Sequence, residues 1–115
     1  MARVVAFIPD LLFGSNVVGG LRAAGHEPVL AGDVDALARE LPGAQLLVID
    51  LTYDAAERIE QVRGLRPAHL PTLAFYSHVE TDVRAGAEQA GFDLVVPRSR
   101  MAREGAALVD RLLAA

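Results

Sequence analysis

The stretch that decides the fold is AQLLVID at residues 44–50, a short apolar run that ends in the carboxylate of Asp50. Four further apolar runs occur at residues 3–8, 26–31, 72–76 and 92–96. Unbroken runs rich in valine, isoleucine and leucine are typical of strands that are buried on both faces of a parallel sheet. Segments with a helical spacing of apolar residues separate the runs. The sequence therefore predicts five strands and five helices that alternate along the chain.

Right-handed crossovers limit how such a chain can fold. Helices cover both faces of one sheet only if the strand order reverses once, which predicts the order 2-1-3-4-5. The predicted fold class is α/β, as a flavodoxin-like (βα)5 three-layer sandwich. Ligands of such open sheets bind outside the carboxyl ends of the strands, near the reversal.

Composition excludes several classes of protein. The 115 residues suffice for one domain, expected over residues 1–115 with no output domain after it. A net charge of -4 argues against a nucleic-acid surface, and the absence of cysteine excludes disulfides and thiolate chemistry. The first apolar stretch, residues 4–8, is too short for a signal peptide or a membrane span. We expect a soluble, cytoplasmic protein without nucleic-acid or membrane partners.

Local signals predict where the helices begin and end. Asp54 and Glu57 have the spacing of a capping box for the third helix, and Ser99 is a candidate cap for the fifth. A glycine pair at residues 19–20 lowers the helix propensity of the first helix, and close packing on the sheet is its simplest explanation. His26 and His69 lie in predicted loops, where solvated side chains are expected.

Polar side chains end three of the predicted strands. Asp10 and Asp50 follow strands 1 and 3, and Ser77 follows strand 4. These strands are neighbours in the predicted order, so the three side chains should converge on one crevice. Two close carboxylates suit a hard cation such as Mg²⁺, and a carboxylate beside it can accept a phosphoryl group. The Ser77 hydroxyl could then bond to a phosphoryl oxygen.

These features resemble the receiver domain of two-component response regulators over essentially the whole chain. Receivers end strand 3 with Asp-Leu-x-x-Pro, and here residues 50–54 read DLTYD. A Ser or Thr ends strand 4, matching Ser77 in AFYSH at residues 74–78. A late Ala-Gly-Ala/Phe-Asp signature is matched by AGFD at residues 90–93. The order and spacing of these motifs carry the resemblance.

The resemblance implies roles for individual residues. Asp50 would be the phosphoacceptor and Ser77 a phosphoryl contact, while Asp10, Asp50 and the backbone carbonyl of Thr52 would hold Mg²⁺. The partner would be a histidine kinase or another signalling protein, and a homodimer could form through helix 4, strand 5 and helix 5. Such a protein is not an enzyme beyond self-phosphotransfer onto Asp50.

Departures from the family pattern are concentrated at this site. Receivers carry an acidic pair after strand 1, whereas this chain has Pro9-Asp10. They also place a lysine after strand 5, but this chain has no lysine, and Arg98 is its nearest substitute. A guanidinium is not equivalent to a compact ammonium group. His78, next to Ser77, could crowd the entrance. The sequence therefore predicts at most weak Mg²⁺ binding.

Three functional interpretations remain open. The first is a stand-alone pseudo-receiver, which keeps the fold and the contact surface but has lost regulated phosphotransfer. The second is a receiver that is switched by an aspartyl phosphate at Asp50. A remote third is a small dinucleotide-binding domain, suggested by the glycine-containing residues 13–30 and by Asp33 after them.

Overall fold

The computed structural model describes residues 2–77 and 81–115, and within them the predicted alternation of strands and helices is confirmed. The elements are β1 (Arg3–Phe7), α1 (Leu11–Ala23), β2 (Glu27–Ala31), α2 (Val34–Glu40), β3 (Leu46–Asp50), α3 (Ala55–Leu65), β4 (Thr72–Tyr76), α4 (Thr81–Gln89), β5 (Leu94–Pro97) and α5 (Arg98–Ala114). No helix among these residues is both long and apolar enough to cross a membrane.

The sheet has the predicted topology. Its strands are parallel and lie in the order β2-β1-β3-β4-β5. The strand order reverses at β1. β2 lies on one side of β1, and β3, β4 and β5 follow in sequence on the other side. This confirms the flavodoxin-like (βα)5 sandwich, and it places the carboxyl ends of β1, β3 and β4 side by side.

Two separate apolar cores lie on the two faces of the sheet. Alternate residues of each strand face α2, α3 and α4 on one side, where Leu37, Val62 and Ala87 are fully buried. The other residues face α1 and α5, where Leu21 and Val109 fill the core. All five residues of β3 are buried, because this central strand is covered on both faces. The helix pair α1 and α5 therefore covers the face that carries Val48 and Asp50.

Glycines end two helices as predicted, but two predicted caps are wrong. Gly25 and Gly91 have φ values of +91° and +82°, which disfavour residues with a side chain. Asp54 precedes α3 with φ +52°, and its side chain makes no capping hydrogen bond. A capping side chain normally extends from β-region backbone, which Asp54 does not have. Ser99 is not a cap either, since α5 begins at Arg98 and Pro97 occupies the cap position.

Glycine packing occurs at a different position from the one predicted. A Cβ atom added at Gly14 would lie 2.8 Å from Leu30 Cδ1, so α1 approaches β2 closely there. The same atom at Gly19 or Gly20 would meet nothing within 4 Å, and both residues are exposed. The prediction that this pair packs on the sheet is wrong, because neither position has a neighbour that would contact an added side chain.

Candidate functional site

Strand alternation places three predicted site residues on the same face of the sheet. Asp50 ends β3, while Ser77 and Arg98 directly follow β4 and β5. Asp50 is two residues after Val48 and Ser77 two residues after Phe75, and both of these apolar side chains belong to the core under α1 and α5. Because side chains alternate along a strand, the polar groups continue that face at the carboxyl edge.

Asp50 is a buried carboxylate with a local hydrogen-bond donor. Only 3% of the residue is exposed. Its Oδ1 accepts a hydrogen bond of 2.8 Å from the backbone N–H of Thr52. The Thr52 hydroxyl is buried and has no hydrogen-bond partner among the described residues. The β3–α3 loop therefore holds Asp50 in place through its backbone and leaves one buried hydroxyl unsatisfied.

Asp10 has both carboxylate oxygens engaged. Oδ1 accepts from the backbone N–H of Phe13 at 3.1 Å, which makes Asp10 the N-cap of α1. Oδ2 accepts from Arg98 Nη2 at 3.2 Å. The Phe13 hydrogen bond, followed by the one from Arg98, holds the pKa of Asp10 below its usual value. Asp10 is therefore ionised and paired at neutral pH.

Arg98 is also held by an aromatic ring that the sequence did not identify. Its guanidinium carbon lies 4.1 Å from the centroid of the Phe13 ring. Phe13 in turn packs on Phe75, with ring centroids 5.0 Å apart. Cations within about 6 Å of a ring centroid are attracted by the π-electrons. No local pattern in the sequence indicates this contact, because Phe13 belongs to α1 and Arg98 to α5, at opposite ends of the chain.

A cavity of about 470 Å³ lies beside this cluster and opens to solvent. Its described lining residues are Phe13, Thr52, Tyr53, Ser77, Arg98, Ser99 and Ala102. The structure thus brings the predicted residues Thr52, Ser77 and Arg98 to one cavity. Asp10 and Asp50 are not among its lining residues. The roles of Asp50 as phosphoacceptor and Ser77 as phosphoryl contact stay predictions, and His78 lies outside the described residues.

One of the two carboxylates predicted to bind Mg²⁺ is engaged by other groups in the structure. Mg²⁺ requires near-octahedral oxygen coordination and is usually held by one or two carboxylates. One of the two candidates, Asp10, is shared between a helix cap and a guanidinium. Within residues 2–77 and 81–115, no group of three or more histidine, aspartate or glutamate side chains could hold a metal. A divalent ion at Asp10 would have to displace Arg98.

Two other predictions are corrected. His26 is not a solvated loop side chain, since its Nδ1 accepts from the Ala2 N–H at 3.3 Å and its Nε2 lies 2.6 Å from Asp110 Oδ1. Its side chain is only 10% exposed. His69 is exposed, as predicted. The dinucleotide-binding alternative is also wrong, because that site needs a glycine-rich turn before the helix, whereas Gly14, Gly19 and Gly20 all lie inside α1.

Comparisons with known proteins agree with this geometry at the level of the fold. No protein-family model and no curated protein sequence matches the chain. The receiver domain of the Francisella response regulator 1452 superposes with a TM-score of 0.85 at 15% identity, over 99% of this chain and 98% of that one. The non-phosphorylated HemR receiver domain from Leptospira biflexa gives 0.81 at 16% identity, over 100% and 96%. A CheY-like receiver domain protein from Methanospirillum hungatei gives 0.81 at 18% identity, over 99% and 94%.

The chain therefore has the fold of response regulator receiver domains. The superposition extends over nearly all of both chains, so no large element is added or missing relative to these structures. At identities below one fifth, the likeness establishes the fold and leaves the chemistry to the residues of the site.

Proposed function

We propose that this chain is a pseudo-receiver, a signalling domain that acts through protein–protein contacts and has lost regulated phosphotransfer. The observation that carries this proposal is the ion pair between Asp10 and Arg98. It joins Asp10, the acidic residue between β1 and α1, to Arg98, the cation that directly follows β5. A receiver would use these two positions for a metal ligand and for the ammonium group that pairs with the phosphoryl group.

Charge explains why this pairing opposes phosphorylation. A phosphoryl donor brings negative charge toward the Asp50 carboxylate, and like charges repel unless a cation lies between them. The pairing of Asp10 with Arg98 removes one carboxylate from the ligands that a divalent cation could use. The same contact commits part of the guanidinium to Asp10. We infer that Asp50 is a poor phosphoacceptor and that the protein signals without it.

A phosphorylation-competent receiver is the second candidate. It is favoured by the position of Asp50 at the end of β3 and by the convergence of Ser77 and Arg98 on one cavity. In that case the phosphoryl group would be followed by the Ser77 hydroxyl, with Arg98 in place of a lysine.

The proposed contact surface is the face formed by α4, β5 and α5. We propose that it binds a histidine kinase or another signalling protein, or a second copy of the chain, in the cytoplasm. Partner binding that is unchanged in Asp10→Asn and Asp50→Asn would support this proposal, whereas loss of binding in either variant would favour the phospho-switch.

Phosphotransfer itself is the direct test. The protein is incubated with acetyl phosphate and Mg²⁺, and modified protein is separated by phosphate-affinity electrophoresis, with Asp50→Asn as the control. We expect no band that is lost on treatment with hydroxylamine, which cleaves acyl phosphates. A hydroxylamine-sensitive band in the natural protein and not in Asp50→Asn would establish the second candidate.

A further inference from the structure

A second cavity lies between α1 and α5. Its volume is about 340 Å³, and buried apolar side chains of both helices line it, among them Leu21 and Met101. None of Asp50, Ser77 and Arg98 is among its described lining residues. We propose that this cavity binds a small apolar carboxylate, a class of ligand that phosphotransfer does not involve.

A glycine of α1 lines this cavity where neither backbone nor packing requires one. Gly20 does not have a positive φ value, and a Cβ atom added to it would meet nothing within 4 Å. Inside a helix, glycine costs about 1 kcal/mol relative to alanine. Because Gly20 lines the cavity, a larger side chain at this position would take up part of its space. The glycine therefore keeps the space between the two helices open.

The α5 side of the cavity has a wall that can adapt to a ligand. Met101 is only 2% exposed, and a Cβ atom added at Gly105 would lie 3.1 Å from Met101 Cε. The absence of a side chain at Gly105 therefore leaves room for the end of the methionine. Methionine is unbranched and polarizable, so it packs well against aromatic and aliphatic groups of different shape.

The cavity also has a positive charge at its edge. Among its described lining residues Arg103 alone is charged, and its side chain is 69% exposed. Glu104 Oε2 lies 3.7 Å from Arg103 Nη2 and 3.5 Å from Arg100 Nε. Since two guanidiniums share this one carboxylate, a positive charge remains. Arginine binds carboxylates through two parallel N–H donors, so an anionic group complements this edge of the cavity.

Size and lining together define the class of ligand. A volume of 340 Å³ is at the lower end of the range of small-molecule sites, about 300–1,000 Å³. Such sites have apolar walls and a few polar groups that orient the ligand. Here those groups are the Arg103 guanidinium and the Asn16 amide. Asp10, Asp50 and Arg98 take no part, so the site would exist in a pseudo-receiver and in a phosphorylated receiver alike.

The test is a ¹H-¹⁵N NMR titration of the full chain with cinnamate as the probe. We expect shifts centred on the residues of α1 and α5 that line the cavity. Cinnamyl alcohol, which lacks the charge, should bind more weakly, and acetate, which lacks the apolar group, should cause no shifts. Absence of shifts with cinnamate, or equal affinity for the alcohol, would overturn the inference.

Gly20→Leu fills the cavity, and Gly19→Leu is its matched control. Both glycines lie inside α1 and an added Cβ meets nothing within 4 Å at either, but Gly19 does not line the cavity. Leucine is the better helix former, so both variants should fold, which thermal melts by circular dichroism check. Gly20→Leu should weaken cinnamate binding about tenfold or more, because leucine and ligand compete for one space. Gly19→Leu should change the affinity less than about twofold.

Arg103→Gln tests the charge, with Arg111→Gln as its control. Arg111 is in the last turn of α5 and does not line the cavity. Arg103→Gln should weaken cinnamate binding about threefold or more, and Arg111→Gln less than about twofold. Equal binding by the two arginine variants, or by the two glycine variants, would overturn the inference. A molar mass that rises with protein concentration in the natural chain but not in Gly20→Leu would also overturn it, because a second copy would then occupy the cavity.

Discussion

Replacing Arg98 with glutamine removes the charge that joins α1 to the start of α5. The guanidinium lies 4.1 Å from the Phe13 ring centroid, and its side chain is 33% exposed. A cation–π contact at such a site contributes about 0.5–1 kcal/mol. The ion pair to Asp10 adds little, because solvent and salt screen exposed charges. We expect Arg98→Gln to lower the free energy of unfolding by about 1 kcal/mol, or roughly 4–6 °C in Tm.

Urea denaturation followed by circular dichroism measures this change, since the chain has no tryptophan to report by fluorescence. Arg100→Gln, in the same first turn of α5, is the control, because it loses an exposed i,i+4 pair with Glu104 and no aromatic contact. Its free energy of unfolding should change by less than about 0.5 kcal/mol. If both variants unfold at the same urea concentration, the guanidinium does not lie on the ring.

Arg98→Gln should also bind Mg²⁺ more tightly than the natural protein, because Asp10 then has no competing cation. An unchanged affinity for Mg²⁺ would contradict that explanation.

Three further comparisons of variants test other parts of the structure by urea denaturation. Gly20→Ala should raise the free energy of unfolding by up to about 1 kcal/mol, because alanine has the higher helix propensity. Gly14→Ala should be about 1–3 kcal/mol less stable than Gly20→Ala, because its Cβ would press on a leucine of β2. Equal stabilities of the two variants would contradict the close packing at Gly14. The pKa of Asp10 is lowered in the folded state, so the ionised carboxylate stabilises the fold at pH values above its usual pKa of 3.8. This stabilisation is lost as the pH falls through the lower pKa of the folded state. The stability difference between the natural protein and Asp10→Asn should therefore shrink at acid pH, and a constant difference would mean that the carboxylate is not stabilised. A double-mutant cycle of His26→Ala and Asp110→Ala should give a coupling of about 0.5–1.5 kcal/mol, and a coupling near zero would refute the hydrogen bond between them.

The fold was predictable because its determinants are local. Each strand is a short apolar run, and the fully buried β3 is the clearest of them. Gly25 and Gly91 end helices at positions where the backbone requires a positive φ. With right-handed crossovers, these signals leave few topologies. The errors are also local in origin: at Asp54 the residue type suited a cap but the backbone adopted the left-handed conformation, and at Ser99 the helix had already begun.

The site was predictable only in part, because its chemistry depends on partners that are distant in sequence. The position of Asp10 at a strand end suggested a metal ligand. An aspartate directly before a helix is a local signal for a cap, but nothing in the local pattern showed that the same carboxylate also pairs with Arg98, which is 88 residues away. His26 was misassigned for the same reason, since its partner Asp110 is 84 residues away. The spacing of apolar residues predicts on which face of a helix or strand a side chain lies. It does not identify the group on another element that this side chain contacts.

We propose that the Asp10–Arg98 pair stands in place of a working metal and phosphoryl site. The most direct measurement is a ¹H-¹⁵N NMR titration with Mg²⁺ and then with beryllofluoride, a phosphoryl mimic, using Asp50→Asn as the control. We predict that neither addition produces shifts that spread from Asp10, Asp50 and Ser77 to α4 and β5. Shifts that spread in this way in the natural protein and are absent from Asp50→Asn would contradict the claim and establish a phospho-switch.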